Sequence, residues 1–264
     1  MNSALPGLLR NELVKTTRRK LPYFGVFAVA VISCVVHFVA VGLNNNTKSS
    51  AWGYLGFSMQ MIFSDIGPIC ILAFVATLLS EETGTGTIRF ALAVPVKRWE
   101  FFTAKAITGL LYAAVLSVVA LLCSLAWATG LPFADVSDAF GVVYQRKEAA
   151  ETLLAAFAFS WIPLGALVMY GLLISALVRN PGTAVATGIG VLYLIDFTKH
   201  LVGIDPYIFT RYLDFSWQMV QDQARGMDYR WLPEVWKMLA LCGASALTAF
   251  LGGLIVFVRE DLNH

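Results

Sequence analysis

Two aspartates lie inside long apolar stretches of the chain, where a charged side chain is costly. Asp65 is followed three residues later by Pro68, which can kink a helix and free a backbone carbonyl. Asp196 lies one turn before Lys199 and His200, a spacing that permits a local ion pair. One hypothesis is that Asp65 and Asp196 line a substrate path. The alternative is that both hydrate or pair locally near a membrane interface.

Catalysis by the chain itself is not predicted. The phosphate-binding pattern GxxxxGK[ST] and the zinc pattern HExxH are both absent, as is the Gly-x-Gly-Asp context of an intramembrane aspartic protease. The histidines are scattered, and the cysteines lie in apolar stretches without CxxC spacing, which is typical of small buried hydrophobes. We therefore expect no catalytic residue, no metal site, no bound cofactor and no nucleic-acid partner.

The composition indicates that a lipid bilayer surrounds most of the chain. Of its 264 residues, 58% are hydrophobic and only 14% are charged. Soluble domains have about 25% charged residues, so this chain has too few to cover a water-facing surface. The length suffices for one domain of several spans, and we treat residues 1–264 as a single transmembrane domain.

Six apolar segments are long enough to cross a membrane as helices, which need about 20 residues each. They cover residues 23–42, 57–79, 101–129, 153–178, 182–197 and 235–258. The third segment is too long for one perpendicular crossing, so it must tilt or extend beyond the membrane. Strand-type alternation is absent. The predicted fold class is an all-α integral membrane protein with six transmembrane helices.

The distribution of basic residues predicts that both termini are cytoplasmic. Six spans place the termini on the same side, and basic residues favour the cytoplasmic side. With cytoplasmic termini, the inner segments carry 11 of the 19 Lys and Arg residues: Arg10, Lys15, Arg18, Arg19, Lys20, Arg89, Lys97, Arg98, Lys105, Arg179 and Arg259. The outer segments are longer and more acidic. We expect a multi-pass protein of the cell membrane, the inner membrane of a bacterium.

The segment from Leu5 to Lys20 predicts an amphipathic helix before the first span. Its leucines share one face with Thr16 at helical spacing: Leu5, Leu9 and Leu13. The opposite face is polar and mostly basic: Arg10, Asn11, Lys15, Arg18 and Arg19. Such a helix can lie in the headgroup plane, with its cations near anionic lipids. The alternative is a basic segment that merely orients the first span.

The loop between the second and third spans combines charges with an apolar segment. Glu81 and Glu82 come where the second span ends, and glycines and threonines then break the helix. The apolar stretch 88–94 ends at Pro95, and Lys97 and Arg98 open the third span. An exposed loop has no reason of its own to carry such residues, so they indicate docking on a membrane or a partner protein.

This pattern resembles the type-2 permeases of ATP-binding-cassette exporters. The shared features are an acidic residue, Gly-Thr, a short apolar helix, Pro95, basic residues, and Lys105 within the next span. The N-terminal amphipathic helix, six spans and short charged tail fit the same plan. The chain departs from the family where Val94 replaces the usual serine and where Gly-Thr occurs twice, at residues 84–87.

The resemblance implies two elements that contact a separate ATPase subunit, which would bind ATP and Mg. A short cytoplasmic coupling helix would dock on the ATPase, and its residues are Glu81, Glu82, Gly84, Thr85, Arg89, Leu92, Pro95 and Arg98. A connecting helix would pack against it, with Glu12, Lys15, Arg18 and Arg19. A second permease copy or a related permease would complete the pathway. The apolar spans favour an amphipathic cargo such as a drug, lipid or peptide.

Two other functions stay open at this level. A stand-alone secondary transporter or channel would show charges near the membrane midplane, or discontinuous helices in two related halves. Glycine-rich breaks exist at Gly182, Gly188 and Gly190, but no matching half is visible. A membrane enzyme or assembly factor would need a convergent polar cluster, and none is evident.

The stretch 199–237, which leads from the fifth span into the start of the sixth, is long and rich in aromatic residues. Its aromatic side chains are Tyr207, Phe209, Tyr212, Phe215, Trp217, Tyr229, Trp231 and Trp236. Such a composition is unlike that of a disordered linker. We expect short interfacial or partly re-entrant helices within residues 199–234.

Overall fold

Six helical spans form the molecule. The computed structural model describes residues 5–43, 50–85, 97–138, 141–227 and 231–259. Within these residues, span 1 is Leu21–Leu43 and span 2 is the continuous helical stretch Ala51–Gly84. Spans 3 to 6 are Arg98–Ala128, Arg146–Leu177, Pro181–Val202 and Leu232–Arg259. The predicted all-α membrane fold with six spans is confirmed.

Shorter elements complete the described chain. Helix α1 (Leu5–Arg18) precedes span 1, and a two-stranded antiparallel hairpin connects spans 3 and 4 through Val136–Asp138 and Gly141–Tyr144. Two short 3-10 helices, Asp205–Tyr207 and Phe209–Tyr212, follow span 5. Helix α2 (Phe215–Ala224) then packs on spans 2 and 4, with Trp217 fully buried and stacked on Phe63.

Span 2 lies at the centre of the bundle and is not a uniform α-helix. It consists of Ala51–Met61, a π-helical turn at Ile62–Ile66, Gly67–Val75 and Thr77–Gly84. Span 2 is surrounded by other elements, so its sequence is hydrophobic on several faces. Its large buried apolar side chains are Leu55, Met59, Ile62, Phe63, Ile71, Leu72, Phe74 and Val75. Spans 1 and 5, by contrast, expose large apolar side chains outward.

Ser175 of span 4 joins the two helical segments of span 2 that meet at Ala76. Its hydroxyl donates to the carbonyl oxygen of Ala76 at 2.7 Å. The Ser175 hydroxyl oxygen also accepts hydrogen bonds from the backbone N–H groups of Leu79 at 2.9 Å and Ser80 at 3.1 Å. Backbone polar groups at membrane depth need partners within the protein, and this hydroxyl supplies three bonds at the break in the helix.

Small residues allow the central spans to pack closely. A Cβ atom on Gly109 of span 3 would lie 2.8 Å from Val168 of span 4. A Cβ atom on Gly171 of span 4 would lie 3.0 Å from Leu72 of span 2. Because glycine has no side chain, the helix backbones approach closely here, as is common between membrane helices. This packing fixes spans 2, 3 and 4 as the core that carries the charged residues described next.

Candidate functional site

A buried ion cluster joins helix α1 to spans 2 and 3. Lys105 lies about two turns into span 3, and its side chain has no exposed surface. Its Nζ lies 2.7 Å from Glu12 Oε2 of α1 and 2.7 Å from Glu82 Oε1 of span 2. Lys15 Nζ lies 2.8 Å from Glu82 Oε1 and 3.1 Å from Glu12 Oε1. We call these four residues the Lys105 cluster.

The charges of the Lys105 cluster balance. Two ammonium groups face two carboxylates, which is the condition for keeping such groups out of water. The Lys15 side chain is 37% exposed, so the cluster reaches solvent on the side of α1. Burial by itself would lower the pKa of Lys15, but hydrogen bonds and attraction from Glu82 and Glu12 raise it above its usual value. Lys15 therefore stays charged at physiological pH.

Lys105 also contacts an aromatic ring, which packs in turn on the last span. The Phe101 ring, one turn earlier on span 3, has its centroid 5.1 Å from Lys105 Nζ, within the range of a cation–π contact. Phe101 in turn stacks on Phe257 of span 6, with ring centroids 5.9 Å apart. The position of the ammonium group is thus linked to the packing of the last span.

A second ion pair lies next to the cluster. Arg19 Nη2, directly after α1, is 2.9 Å from Glu81 Oε2 at the end of span 2. Both side chains are partly exposed, so this pair is worth about 0–1 kcal/mol. With Glu12 and Lys15, Arg19 forms a row at helical spacing, and this row lies on the face of α1 that packs on the bundle, together with Leu8.

The orientation of α1 therefore corrects one expectation. Lys15 and Arg19 were expected among cations near anionic lipids, but both pair with carboxylates of span 2. The reason is that the buried carboxylates of Glu12 and Glu82 need positive partners within the protein. Leu13 and Val14 are exposed on the opposite side of the helix. Arg18 is exposed and has no ion pair in the described part of the chain.

Three other predicted coupling residues, Gly84, Thr85 and Arg98, form close contacts or hydrogen bonds. A Cβ atom on Gly84 would lie 2.6 Å from the Arg179 carbonyl oxygen, so glycine lets the end of span 2 approach the loop between spans 4 and 5. The Thr85 hydroxyl donates to the Glu81 carbonyl oxygen at 2.7 Å. Arg98 Nη1 donates to the Val258 carbonyl oxygen at the end of span 6, at 2.8 Å.

Three predicted coupling residues, Arg89, Leu92 and Pro95, lie outside the described residues. The described ones are gathered at one end of the bundle, on both sides of the segment 86–96 that contains the predicted coupling helix. Lys105 was noticed in the sequence only as part of a family pattern. A lysine inside an apolar span is itself a signal, because its burial demands carboxylate partners.

Asp65 and Asp196 line one cavity at the opposite end of the bundle. This cavity has a volume of about 480 Å³ and lies between span 2, span 5 and the segment that leads into α2. Asp65 belongs to the π-helical turn of span 2, where its side chain is exposed. The local ion pair expected for Asp196 is present, with Lys199 Nζ 2.5 Å from Asp196 Oδ1. No cluster of three or more side chains that could hold a metal ion occurs in the described ranges.

Comparison with known proteins gives two findings. The sequence matches the family described as "ABC-2 family transporter protein" over residues 8–195. It is also similar to the uncharacterized membrane protein YdbK of Bacillus subtilis (strain 168), with 27% identity over 184 residues. That alignment covers 68% of this chain and 71% of the relative. The family match includes most of α1, spans 1 to 4, most of span 5 and the whole Lys105 cluster.

Proposed function

The chain belongs to the ABC-2 family of transporter proteins, and from this premise we propose that it is the permease subunit of an ATP-driven exporter. In this function a separate ATPase subunit binds ATP and Mg, and the permease forms the translocation pathway. The chain carries no phosphate-binding motif of its own. The termini, the Lys105 cluster and residues 86–96 would face the cytoplasm of a bacterial cell, where the ATPase binds.

The Lys105 cluster is the observation that best supports this proposal. It joins α1, the end of span 2 and the start of span 3, and the last two enclose residues 86–96. Separating a buried ion pair costs about 3–5 kcal/mol, because it leaves a charge without a partner. A push on the segment 86–96 would therefore move α1 and spans 2 and 3 together, since they resist being pulled apart.

The coupling would work by shifting a conformational equilibrium. Nucleotide binding closes two ATPase subunits, and the coupling helices of two permeases follow that movement. The pathway would then change between inward-facing and outward-facing states. A second copy of this chain, or a related permease, supplies the other half of the pathway. The apolar surfaces of the spans favour an amphipathic cargo such as a drug, lipid or peptide.

The test is co-purification of an ATPase with an affinity-tagged permease, followed by measurement of ATP hydrolysis. We expect an ATPase subunit to co-purify with the wild-type chain. Leu92→Asp should abolish this association, because a charge would replace an apolar docking side chain. Val142→Asp is the matched control, since Val142 is an exposed apolar residue of the hairpin at the other end of the molecule.

Two outcomes would contradict the proposal. One is transport of a cargo into proteoliposomes by the purified chain in the absence of any ATPase. The other is retention of ATPase association by the Leu92→Asp variant. Equal loss of association in the Leu92→Asp and Val142→Asp variants would mean that an added charge damages the fold. Thermal denaturation of both variants shows whether they are folded. A folded Leu92→Asp variant that no longer binds the ATPase supports docking through Leu92.

A further inference from the structure

The side of helix α1 that faces away from the bundle carries exposed cations among exposed apolar side chains. Arg10, Leu13, Val14 and Thr17 follow the spacing i, i+3, i+4, i+7, which places them on one side of the helix. All four are exposed, whereas Glu12 on the opposite side is buried. Two further exposed cations continue this side toward span 1. We call the following residues the outer surface of α1: Arg10, Leu13, Val14, Thr17, Arg18 and Lys20.

The three cations of this surface have no carboxylate partner. Neither Arg10, Arg18 nor Lys20 forms an ion pair with the part of the chain that the structure describes. The carboxylates that lie against α1 and the residue after it are already engaged, either in the Lys105 cluster or with Arg19. The outer surface of α1 therefore keeps a formal charge of about +3, so its complementary ligand is an anion.

The outer surface of α1 continues directly into the membrane. Lys20 is followed by Leu21, the first residue of span 1, and Leu21, Tyr23 and Phe24 are exposed at the first turns of that span. The Tyr23 hydroxyl donates to the Thr17 carbonyl oxygen at 3.0 Å, which joins the end of α1 to span 1. Because outward apolar side chains of a span face lipid, α1 lies at the depth of the headgroups.

This position favours a lipid over a protein as the ligand. A phospholipid supplies both an anionic phosphate for the three cations and apolar chains for the exposed apolar side chains. Leu13 and Val14 are 39% and 45% exposed, and they lie between the cations along the helix. A soluble protein at the same place would have to lie against Phe24, which is 67% exposed at membrane depth.

We propose that the outer surface of α1 binds anionic phospholipids. The opposite side of the same helix is held to spans 2 and 3 by the Lys105 cluster. A bound lipid thus contacts the element that joins these two spans. The proposal does not depend on ATPase coupling, since every residue of the surface belongs to the permease chain.

The experiment measures lipid binding to the purified full chain by native mass spectrometry from detergent micelles. Dioleoylphosphatidylglycerol and dioleoylphosphatidylcholine have the same acyl chains, and only the first has a net negative charge. We expect phosphatidylglycerol to bind at least about tenfold more tightly, because several basic side chains attract its headgroup. Equal affinity for the two lipids would overturn the proposal.

Variants of α1 locate the surface. Arg10→Gln and Arg18→Gln should each weaken binding of phosphatidylglycerol about fivefold, with an unchanged thermal midpoint because neither side chain loses a partner in the protein. Arg259→Gln is the matched control, since Arg259 is an exposed basic residue that ends span 6 at the same end of the bundle. If this control weakens binding as much, the lipid responds to overall charge and the proposal is wrong.

A soluble anion tests the contribution of the acyl chains. Glycerol 3-phosphate has a phosphate but no chains, and an excess of about a hundredfold should leave phosphatidylglycerol bound, because binding also requires burial of apolar surface. Val14→Ser should weaken lipid binding for the same reason. Displacement of the lipid by glycerol 3-phosphate would indicate a simple anion site and contradict the proposal.

Association with an ATPase distinguishes the remaining alternative. The double variant Arg10→Gln with Arg18→Gln should retain whatever ATPase co-purifies with the wild-type chain while its affinity for phosphatidylglycerol falls. Loss of the ATPase with unchanged lipid affinity would assign the outer surface of α1 to protein docking and refute lipid binding there. If no ATPase co-purifies with the wild-type chain, the proposed function fails, and the lipid measurements still decide this proposal.

Discussion

At the scale of single residues, Lys105 is a full charge without exposed surface. It remains in the bundle because two carboxylates from separate elements lie 2.7 Å from its ammonium group. Removing one member of such a cluster does more harm than removing a balanced pair, since the remaining charges stay buried. Comparing single and double substitutions in the cluster tests this difference directly.

Lys105→Met should lower the free energy of unfolding by about 3–5 kcal/mol, because the buried carboxylates of Glu12 and Glu82 would lose the ammonium group that both contact. Thermal denaturation of the detergent-solubilised chain measures this. The double variant Glu12→Gln with Lys105→Met should lose less than the sum of the two single losses, since the second change relieves the first. Lys147→Met is the control, because Lys147 is exposed and its ion pair among the described residues, with Glu151, is long at 3.8 Å. Additive losses would show that the cluster does not act as a unit.

At the scale of elements, span 2 depends on its neighbours to remain continuous. The helix is interrupted at Ala76, and Ser175 of span 4 accepts two backbone N–H groups there and donates to one carbonyl. The end of the same span approaches Arg179 closely at Gly84. The segment of span 2 nearest to the predicted coupling helix is therefore supported from the span 4 side.

Ser175→Ala should destabilise the protein by about 1–3 kcal/mol, because the N–H groups of Leu79 and Ser80 would lose their acceptor in a buried position. Ser117→Ala serves as the control: Ser117 is also fully buried, but its hydroxyl donates only to a carbonyl of its own helix. Thermal denaturation should show a clear loss for the first variant and little for the second. Equal losses would assign the effect to burial of serine in general.

Prediction from the sequence succeeded where the signal is local. Six apolar runs identified six spans, and the spacing of Asp196 and Lys199 identified their ion pair. Contacts between residues that are far apart in the sequence could not be predicted in this way. Nothing in the local sequence of Ser175 shows that span 2 breaks beside it. Pro68 was expected to be able to kink span 2, but the local sequence did not predict the π-helical turn at Ile62–Ile66 that precedes this proline.

At the scale of the whole molecule, spans 1 and 5 leave a large apolar surface uncovered. Both pack against the Gly67–Val75 segment of span 2, and both expose phenylalanines such as Phe27 and Phe197. Lipid can cover such a surface, and so can a second copy. A proposed pathway between two permeases requires an interface, and we expect it along these two spans.

Cross-linking tests this interface. In a background without the four native cysteines, Phe27→Cys or Phe197→Cys should form disulfide-linked dimers in native membranes, because matching positions meet across a two-fold axis. Leu154→Cys is the control, since Leu154 is an equally exposed apolar residue on span 4. A dimer that forms through Leu154→Cys but through neither of the others would place the interface elsewhere.

The order of the Lys105 cluster along the chain has a consequence for biosynthesis. Glu12 and Glu82 both precede Lys105 in the sequence, so the ribosome produces the two carboxylates before the lysine that they neutralise. A lone lysine at the centre of a membrane helix opposes insertion by about 2.5–3.5 kcal/mol, and Lys105, about two turns into span 3, should oppose it less strongly. When span 3 leaves the translocation machinery, α1 and span 2 already exist as acceptors for its charge. We therefore expect the cluster to ease the entry of span 3 into the bilayer.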